Sequence, residues 1–336
     1  MFDEVKKIVE ENYELKVEHI EKIKNVYKIK SLNNYYSLKV IKYEFAHFYF
    51  IISAMKHLQN NGYKGVPKFI LTKDNKEYIN FYDKYAYLNP WLECRQSNYD
   101  NLVDVYLATK NLAEFHKKSV NFQVEDSMKP RVGWFKWIET FNTRKNEILD
   151  FKNRINKKEK KTDFDFEYEK IMDDELKRCD RSIKHIKESK YFELMHKEIL
   201  NKNFCHHDYA NHNILIDKDN KVYVIDFDYC ILDTHLHDLA SLLSRSMKYD
   251  KWCDERMKII LKSYNEVFEV KQEDFEIMAA FLEFPQDYWQ RGIQYYWENK
   301  SWDEDFFIKK LKAYSDDREN RKLFIDNLRN FKINNL

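Results

Sequence analysis

Scarcity of glycine is the feature that most limits what this chain can fold into. Only 4 of its 336 residues are glycine, namely Gly62, Gly65, Gly133 and Gly292. Loops of the G-x-x-x-x-G-K-[ST] type and of the G-x-G-x-x-G type need closely spaced glycines, because backbone amides must approach phosphates without an intervening Cβ. No pair of these glycines has either spacing. The sequence therefore excludes P-loop and Rossmann-type nucleotide sites.

The remaining composition predicts a globular protein of about two domains, since a domain holds roughly 150 residues. Positive and negative charges nearly cancel, with 58 Lys and Arg against 57 Asp and Glu, so no net field draws the chain to nucleic acid or to an anionic membrane. No apolar run approaches the roughly 18 residues of a membrane span, and the first residues lack the apolar core of a signal peptide. We therefore expect no nucleic-acid or membrane partner, and a cytoplasmic protein.

The first ninety residues carry β-rich runs around one amphipathic helix. The runs are residues 26–30, 35–41, 69–71 and 78–82. Asn33 and Asn34, between the first two runs, tolerate the positive φ of a hairpin turn. Apolar residues from Phe48 to Leu58 recur at helical spacing. The predicted order is β-β-α-β-β, an antiparallel sheet with one helix.

The rest of the chain has mostly helical periodicity, so we predict an N-terminal domain of residues 1–90 and a helical domain of residues 91–336. Residues 156–161 are rich in lysine and are expected to form a solvated loop or helix end, because acidic residues follow directly. A stripe of aromatic residues between Phe275 and Trp297 is typical of a core, with a box for a cationic substrate as the alternative.

The most informative polar pattern lies within residues 204–230. His206, Asp208 and Asn213 follow the order H-x-D-x-x-x-x-N, and Asp226 comes after the next two apolar runs. These runs, residues 214–216 and 222–225, flank a turn and should pair as a hairpin.

The expected register of this hairpin brings the polar residues together. If position 216 faces position 221, Asn213 faces position 224, and Asp226 lies just beyond it at the same open end. We therefore expect Asp208, Asn213 and Asp226 to converge.

These three residue types suit phosphoryl transfer. Mg²⁺ takes oxygen ligands, which Asn213 and Asp226 can supply, and an attacking hydroxyl needs a carboxylate to receive its proton, which suits Asp208. The task of the protein would be positioning and charge neutralisation rather than covalent chemistry. The pattern predicts a magnesium-dependent phosphotransferase site.

The same residues resemble the catalytic loop of protein-kinase-like enzymes, in the branch of aminoglycoside phosphotransferases and choline kinases. Residues 225–228, Ile-Asp-Phe-Asp, are similar to the metal-binding segment of that branch, which lacks the glycine of D-F-G. The resemblance implies a two-lobed α+β fold with an N-terminal antiparallel sheet and helix and a mostly helical C-terminal lobe. It also implies that Asp208 is the catalytic base and that Asn213 and Asp226 hold Mg²⁺.

The N-terminal domain resembles the nucleotide-binding lobe of that fold. Residues 36–40 are similar to the V-A-I-K strand, whose lysine contacts the α- and β-phosphates of ATP, so the resemblance implies that Lys39 binds the nucleotide. Glu44 is the nearest acid on the following helix. It either pairs with Lys39 in the nucleotide site or complements the helix dipole. Residues 85–91 fall where the hinge between the lobes is expected.

A closer resemblance is to bacterial spore-coat kinase-like proteins, the CotS family. It is carried by residues 112–119, by residues 282–289 and by Tyr295 and Tyr296, and it extends from about residue 15 to residue 330. This resemblance implies an ATP- and Mg²⁺-dependent phosphotransferase that acts on a hydroxyl of a small molecule. It also implies spore-coat proteins as partners and deposition on the spore coat.

Two positions depart from the kinase pattern. The turn expected to cover the phosphates, residues 21–25, has no glycine, and His207 stands where this branch commonly has glycine. A Cβ in the turn hinders the approach of backbone amides to a phosphate. These departures favour an alternative, in which the protein is a catalytically silent structural coat protein or a nucleotide-binding scaffold.

Overall fold

In the computed structural model, which describes residues 2–298 and 300–336, the contacts divide the chain into two units. The first unit contains the chain up to Asn98 together with Glu114–Arg131 and Lys202–Leu232. The second contains Tyr99–Ala113, Val132–Asn201 and Asp233–Leu336. All the predicted site residues lie in the first unit, and the lobe boundary expected near residue 91 stays a prediction.

The helices and strands follow one another in this order. Up to Gln96 they are α1 (Phe2–Asn12), β1 (His19–Ile23), β2 (Val26–Ser31), β3 (Asn34–Ile41), α2 (Phe45–Asn60), β4 (Ile79–Phe81), β5 (Lys84–Pro90) and β6 (Arg95–Gln96). Next come α3 (Leu102–Ser119), β7 (Arg131–Val132), α4 (Trp137–Asn156), α5 (Asp163–Glu188), α6 (Tyr191–Asn201), β8 (Ile214–Ile216), β9 (Val222–Val224) and β10 (Ile231–Leu232). The last are α7 (His235–Met247), α8 (Asp254–Asn265), α9 (Gln272–Glu283), α10 (Gln286–Gly292), α11 (Glu304–Asp316) and α12 (Arg318–Asn330). None of the helices described is both long enough and apolar enough to span a membrane.

The strands β1 to β5 form one antiparallel sheet in the order β1-β2-β3-β5-β4. Leu38 of β3 and Leu88 of β5 face each other and pack with Val5 of α1 in one buried core. Burial of such side chains contributes about 1.5–3 kcal/mol each. Because neighbours along a strand point to opposite faces, Lys39 projects from the face opposite that core, beside its cross-strand partner Tyr87.

The predicted hairpin of residues 26–30 and 35–41 is confirmed as β2 and β3. Its turn consists of Leu32 and Asn33 rather than Asn33 and Asn34, because Ser31 pairs with Asn34. The positive φ, 53°, belongs to Leu32. The two paired strands thus each extend one residue further toward the turn, to Ser31 and Asn34, than the two asparagines suggested.

The predicted order β-β-α-β-β is wrong in three places. α1 and β1 precede the hairpin, residues 69–71 form no strand, and β5 follows β4. β5 takes up most of residues 85–91, the expected hinge. β5 lies between β3 and β4, and Ala86, Tyr87 and Leu88 are buried in succession. A strand covered on both faces does not show the alternating pattern by which half-buried strands are found.

β8 and β9 form the predicted antiparallel hairpin, and β6 pairs with the other edge of β8. The expected register is wrong by one residue, since Ile216 pairs with Val222 and not with position 221. Asn213 is consequently aligned with Ile225, whose N–H donates to the Asn213 carbonyl at 3.0 Å. Asp226 then follows directly, so the polar residues still lie at one end of the hairpin.

The second unit consists of helices whose aromatic side chains pack closely. Tyr168 of α5 stacks on Tyr288 of α10 with ring centroids 4.1 Å apart, and Phe141 of α4 stacks on Phe284 at 4.1 Å. Both members of the first pair are fully buried, whereas Trp297 at the end of the stripe is 43% exposed. The aromatic stripe is therefore mainly core, as its pattern favoured.

The lysine-rich residues 156–161 connect α4 to α5, as expected of a loop or helix end. Thr162 begins α5 with a capping box, in which its side chain accepts from Asp165 N–H and the Asp165 carboxylate accepts from Thr162 N–H. Lys158 Nζ lies 2.7 Å from the same carboxylate. Part of the positive charge of the segment is thus used within the protein.

Alanine at Gly292 is expected to destabilise the second unit. A Cβ there would collide with the Tyr168 hydroxyl and lie 2.5 Å from the Phe151 ring, and overpacking of this kind costs roughly 1–3 kcal/mol. In an unconstrained helix the same substitution stabilises by about 0.5–1 kcal/mol. The sign of the change in stability therefore distinguishes a closely packed Gly292 from an unconstrained one. The measurement is the melting temperature of Gly292→Ala, with Lys170→Ala at an exposed position of α5 as control. An unchanged or higher value for Gly292→Ala would contradict the close packing.

Candidate active site

Lys39 and two aspartates form the centre of the candidate site. Lys39 Nζ lies 2.6 Å from Asp226 Oδ1 and 2.6 Å from Asp228 Oδ1. The lysine comes from β3, and both aspartates come from the segment after β9. The Lys39 side chain is 12% exposed, whereas that of Asp226 is 45% exposed. The structure thus joins two of the predicted site residues, with one carboxylate open to solvent.

Burial and opposite charge act against each other in this cluster. Burial lowers the pKa of Lys39, but Tyr87 and the two carboxylates raise it above its usual range. Burial raises the pKa of Asp226, yet Lys39 outweighs this and holds the pKa below its usual value. At Asp228, burial together with the charge of Asp226 prevails over Lys39, so its pKa is raised. Asp226 is therefore the more acidic member of the pair. Burial also raises the pKa of Tyr87 to about 12.

Left-handed backbone conformations shape the segments that carry these acids. Asp226 has φ 67° and ψ 64°, and the short 3-10 turn Phe227–Tyr229 follows it. Aspartate enters this region more readily than most residues. His207 has φ 68°, in the region that glycine favours. His207 thus adopts the left-handed conformation that would account for a preference for glycine at this position.

Asn213 and Asp208 are joined through the side-chain amide of Asn213. Its Nδ2 donates to the Asp208 carbonyl oxygen and to Asp208 Oδ2, at 3.0 Å each, and Asn213 is buried. Both bonds use the nitrogen, so the amide oxygen remains a candidate ligand for a cation. His206 Nε2 lies 3.0 Å from the Ile225 carbonyl. This bond ties the loop to the residue before Asp226.

Glu44 is not brought to Lys39. It is exposed, immediately precedes α2 and makes no capping hydrogen bond through its side chain. In the part of the chain that the structure describes, no ion pair joins Glu44 to Lys39, whose partners are the two aspartates. The assignment of Glu44 to the nucleotide site stays a prediction.

Asp228 is the residue that sequence reasoning missed. The signal was present in Ile-Asp-Phe-Asp, where two acids flank Phe227. Phe227 is buried, and the acids on either side of it both pair with the Lys39 ammonium group.

The turn expected to cover the phosphates is short. Ile23 pairs with Val26, which leaves only Lys24 and Asn25 between β1 and β2. Lys24 has φ 53°. Both turn residues carry a Cβ, so the turn differs from the glycine-lined cradles of amides that wrap phosphates in many nucleotide sites.

The donor set suits a hard divalent cation. Mg²⁺ prefers oxygen ligands and is usually held by one or two carboxylates together with waters and phosphate oxygens. The Asp226 carboxylate and the Asn213 amide oxygen are ligands of this kind. The 45% exposure of the Asp226 side chain leaves that carboxylate accessible to a cation. The residues present therefore fit Mg²⁺.

Comparison with known proteins gives a match over nearly the whole chain. Residues 6–328 match the family model described as "Spore coat putative kinase YutH". Spore coat protein S of Bacillus subtilis (strain 168) is 22% identical over 216 residues, or 64% of this chain. The chain spans 61% of the length of that curated relative.

Solved structures of phosphotransferases and a kinase share the fold. An aminoglycoside phosphotransferase from Alicyclobacillus acidocaldarius is 20% identical with a TM-score of 0.85, over 96% of this chain and 95% of that chain. Spectinomycin phosphotransferase APH(9)-Ia, in complex with ADP and spectinomycin, is 16% identical with a TM-score of 0.69, over 98% of each chain. Amicoumacin kinase hAmiN, in complex with AMP-PNP, Ca²⁺ and Ami, is 16% identical with a TM-score of 0.62, over 100% of this chain and 99% of that chain. The predicted α+β protein-kinase-like fold is confirmed.

Replacing Lys39 by methionine should destabilise the protein more at neutral than at acid pH. Without the shared cation, Asp226 and Asp228 repel each other most when both are ionised. Because the folded-state pKa of Asp226 is depressed, its stabilising pairing with Lys39 exists above the unfolded-state pKa and is lost as the pH falls through the folded-state pKa. The difference in melting temperature between wild type and Lys39→Met should therefore shrink as the pH drops from 7 to about 4 and below, near the usual aspartate pKa.

Lys30→Met is the matched control for this experiment. Lys30 lies on the neighbouring strand β2 and pairs with Glu18 at 3.2 Å, with the two side chains 41% and 40% exposed. Exposed pairs of this kind contribute about 1 kcal/mol or less. A Lys39→Met effect that is the same at every pH, or no larger than that of Lys30→Met, would contradict the role of the cluster.

Proposed function

This chain belongs to the family of spore-coat kinase-like proteins, and from that premise we propose that it is an ATP- and Mg²⁺-dependent phosphotransferase acting on a hydroxyl of a small molecule. The observation that carries the proposal is the approach of Lys39 Nζ to Asp226 Oδ1, at 2.6 Å. Phosphoryl transfer needs a cation for the nucleotide phosphates and a carboxylate for the metal close to each other. The geometry of this pair supports such an arrangement.

Each residue of the site has a distinct task in this proposal. Lys39 exchanges its carboxylate partners for phosphate oxygens of the nucleotide. Asp226 and Asn213 hold Mg²⁺, which supplies neutralisation of the charge on the phosphates when bound. Asp208, fixed through Asn213 Nδ2, orients the acceptor hydroxyl and receives its proton.

Complexes of proteins with the same fold support the proposal that the site takes a nucleotide and a small-molecule acceptor. The spectinomycin phosphotransferase is known in complex with ADP and spectinomycin, and the amicoumacin kinase in complex with AMP-PNP and Ca²⁺. A divalent cation in the second complex agrees with the oxygen donors of Asp226 and Asn213. The family match supports spore-coat proteins as partners and the spore coat as the place of action.

A silent coat protein or nucleotide-binding scaffold is the second candidate. It is favoured by the two-residue turn of Lys24 and Asn25, which has no glycine. Binding of Mg·ATP separates a purely structural protein from the other two possibilities, and product formation separates a scaffold from an enzyme.

Mg·ATP is expected to raise the melting temperature of the wild type and not that of Asp226→Asn. A ligand at 100 times its dissociation constant stabilises by about 2.7 kcal/mol, and each kcal/mol corresponds to roughly 2–4 °C for domains of 150–250 residues. Asp219→Asn, at an exposed position between β8 and β9, is the control and should keep the full rise. No rise in the wild type at any concentration would overturn the nucleotide site and favour the structural coat protein.

Asp208→Asn is expected to lower turnover by about 100- to 10,000-fold, the usual contribution of a general base. The rise in melting temperature with Mg·ATP should persist, since Asp208 is not assigned to the metal or to the nucleotide. Turnover is measured as acceptor-dependent release of ADP with a panel of sugars and amino alcohols, first in the wild type. Equal rates in the variant and the wild type would contradict the role of Asp208. Nucleotide binding without any acceptor-dependent release in the wild type would favour the scaffold.

A further inference from the structure

Arg131 lies against two tyrosine rings of the first unit. Its guanidinium carbon is 5.4 Å from the centroid of the Tyr43 ring and 5.1 Å from that of the Tyr229 ring. Its Nη2 donates to the Tyr43 hydroxyl at 3.2 Å. Contacts of a guanidinium with aromatic rings favour the charged group and orient it. Arg131 is thus oriented by both tyrosines.

The two tyrosines belong to the segments that carry the candidate site. Tyr43 follows β3, the strand of Lys39, and Tyr229 closes the turn that contains Asp228. Arg131 therefore touches both of the segments that are joined by the Lys39 ion pairs.

Helix α2 sets the position of this arginine. Lys129 N–H donates to the Ala46 carbonyl at 2.9 Å, and His47 Nδ1 bonds the Lys129 carbonyl at 3.1 Å. The His47 ring also packs edge-on against the Tyr43 ring, with centroids 4.8 Å apart. The first turn of α2 thus holds both the backbone that precedes Arg131 and the ring on which Arg131 lies.

The charge of Arg131 has no carboxylate partner within residues 2–298 and 300–336. Lys39, by contrast, has two. A guanidinium offers five N–H donors in a planar fork suited to carboxylate and phosphate oxygens, and the Tyr43 hydroxyl accepts from one nitrogen. Arg131 is only half-buried, so the remaining donors can meet a ligand.

The proposed reaction needs such a cation. Asp226 and Asp228 share the ammonium group of Lys39 as their cation. When both aspartates are ionised, two carboxylates and one ammonium group carry a net negative charge, which repels an anionic ligand, and a second cation nearby offsets that repulsion.

We propose that Arg131 binds an anionic oxygen group, a phosphate or a carboxylate, that enters the phosphotransfer site. The inference rests on the proposed function, and it goes beyond that function in giving the site a second cation for an anionic ligand. The group can be the terminal phosphate of the nucleotide or an anionic substituent of the acceptor. Both sources share the chemistry that a guanidinium recognises.

The test compares the wild type with Arg131→Gln, which removes the charge, and Arg131→Lys, which keeps the charge without the planar fork. Arg154→Gln is the control, since Arg154 is 51% exposed, pairs with Asp150 and belongs to the second unit. The probes are inorganic pyrophosphate, Mg·ADP and Mg·ATP, measured by calorimetry, and matched neutral and anionic acceptors in the turnover assay. Loss of a hydrogen-bonded charge should weaken binding by about 10- to 100-fold in Arg131→Gln, with an intermediate loss in Arg131→Lys.

The probes identify the source of the anion. If Arg131→Gln loses affinity for Mg·ATP but not for Mg·ADP, Arg131 is assigned to the terminal phosphate of the nucleotide. A raised KM for anionic acceptors alone, at unchanged kcat, assigns it to the acceptor. Changes below about twofold for pyrophosphate, nucleotide and anionic acceptors alike would overturn the proposal.

Failure of the proposed function is recognised separately. It appears as the absence of any Mg·ATP effect in the wild type. The pyrophosphate measurement still tests Arg131 in that case. If pyrophosphate does not bind to the wild type, the proposal for Arg131 is overturned. If Arg131→Gln does not fold, Tyr43→Phe takes its place, because it removes only the hydroxyl that orients Arg131. An unchanged affinity for all probes in that variant and in Arg131→Lys would also overturn it.

Discussion

The pairing of Lys39 with two aspartates is the interaction on which the arrangement of the site depends. The acids follow the lysine by 187 and 189 residues, so they meet it only through the packing of β3 and the segment after β9. A lysine side chain that is 12% exposed loses most of its hydration, and opposite charges offset that loss. Because Asp226 and Asp228 supply those charges, the cluster holds the segment after β9 against β3.

Hydrogen bonds of the Ile225 backbone connect this cluster to the loop that contains His206, Asp208 and Asn213. Ile225 N–H donates to the Asn213 carbonyl, and the Ile225 carbonyl lies 3.0 Å from His206 Nε2. A single residue thus links the loop of Asp208 with the acid that is proposed to hold the metal. In the proposed reaction Asp226 would hold Mg²⁺, which would neutralise the carboxylate, and Lys39 would then be available for phosphate oxygens.

Local features were predictable where short-range spacing decides the structure. The hairpin of β2 and β3, helix α2 and the hairpin of β8 and β9 all follow from periodicity and turn residues. The register of the hairpin of β8 and β9 does not follow from these features, because Asp217 Oδ1 accepts hydrogen bonds from Asp219 N–H and Lys221 N–H. These bonds lengthen the loop by one residue, which an apolar pattern does not show. β5 was missed for a different reason, since a strand that is buried on both faces lacks alternation.

The sequence by itself determined which residues are candidates for the chemistry. The spacing of Asp208 and Asn213, followed by Asp226 after a hairpin, is local and predicts oxygen ligands beside a general base. Only the tertiary structure decided which charges meet. Lys39 pairs with acids distant in the chain rather than with the nearby Glu44. Arg131 lies between tyrosines from two segments, and no carboxylate in the described part of the chain pairs with it. Such pairings depend on how a sheet and a loop pack together, and that packing is decided by burial and backbone hydrogen bonding across the whole unit rather than by neighbours in the chain.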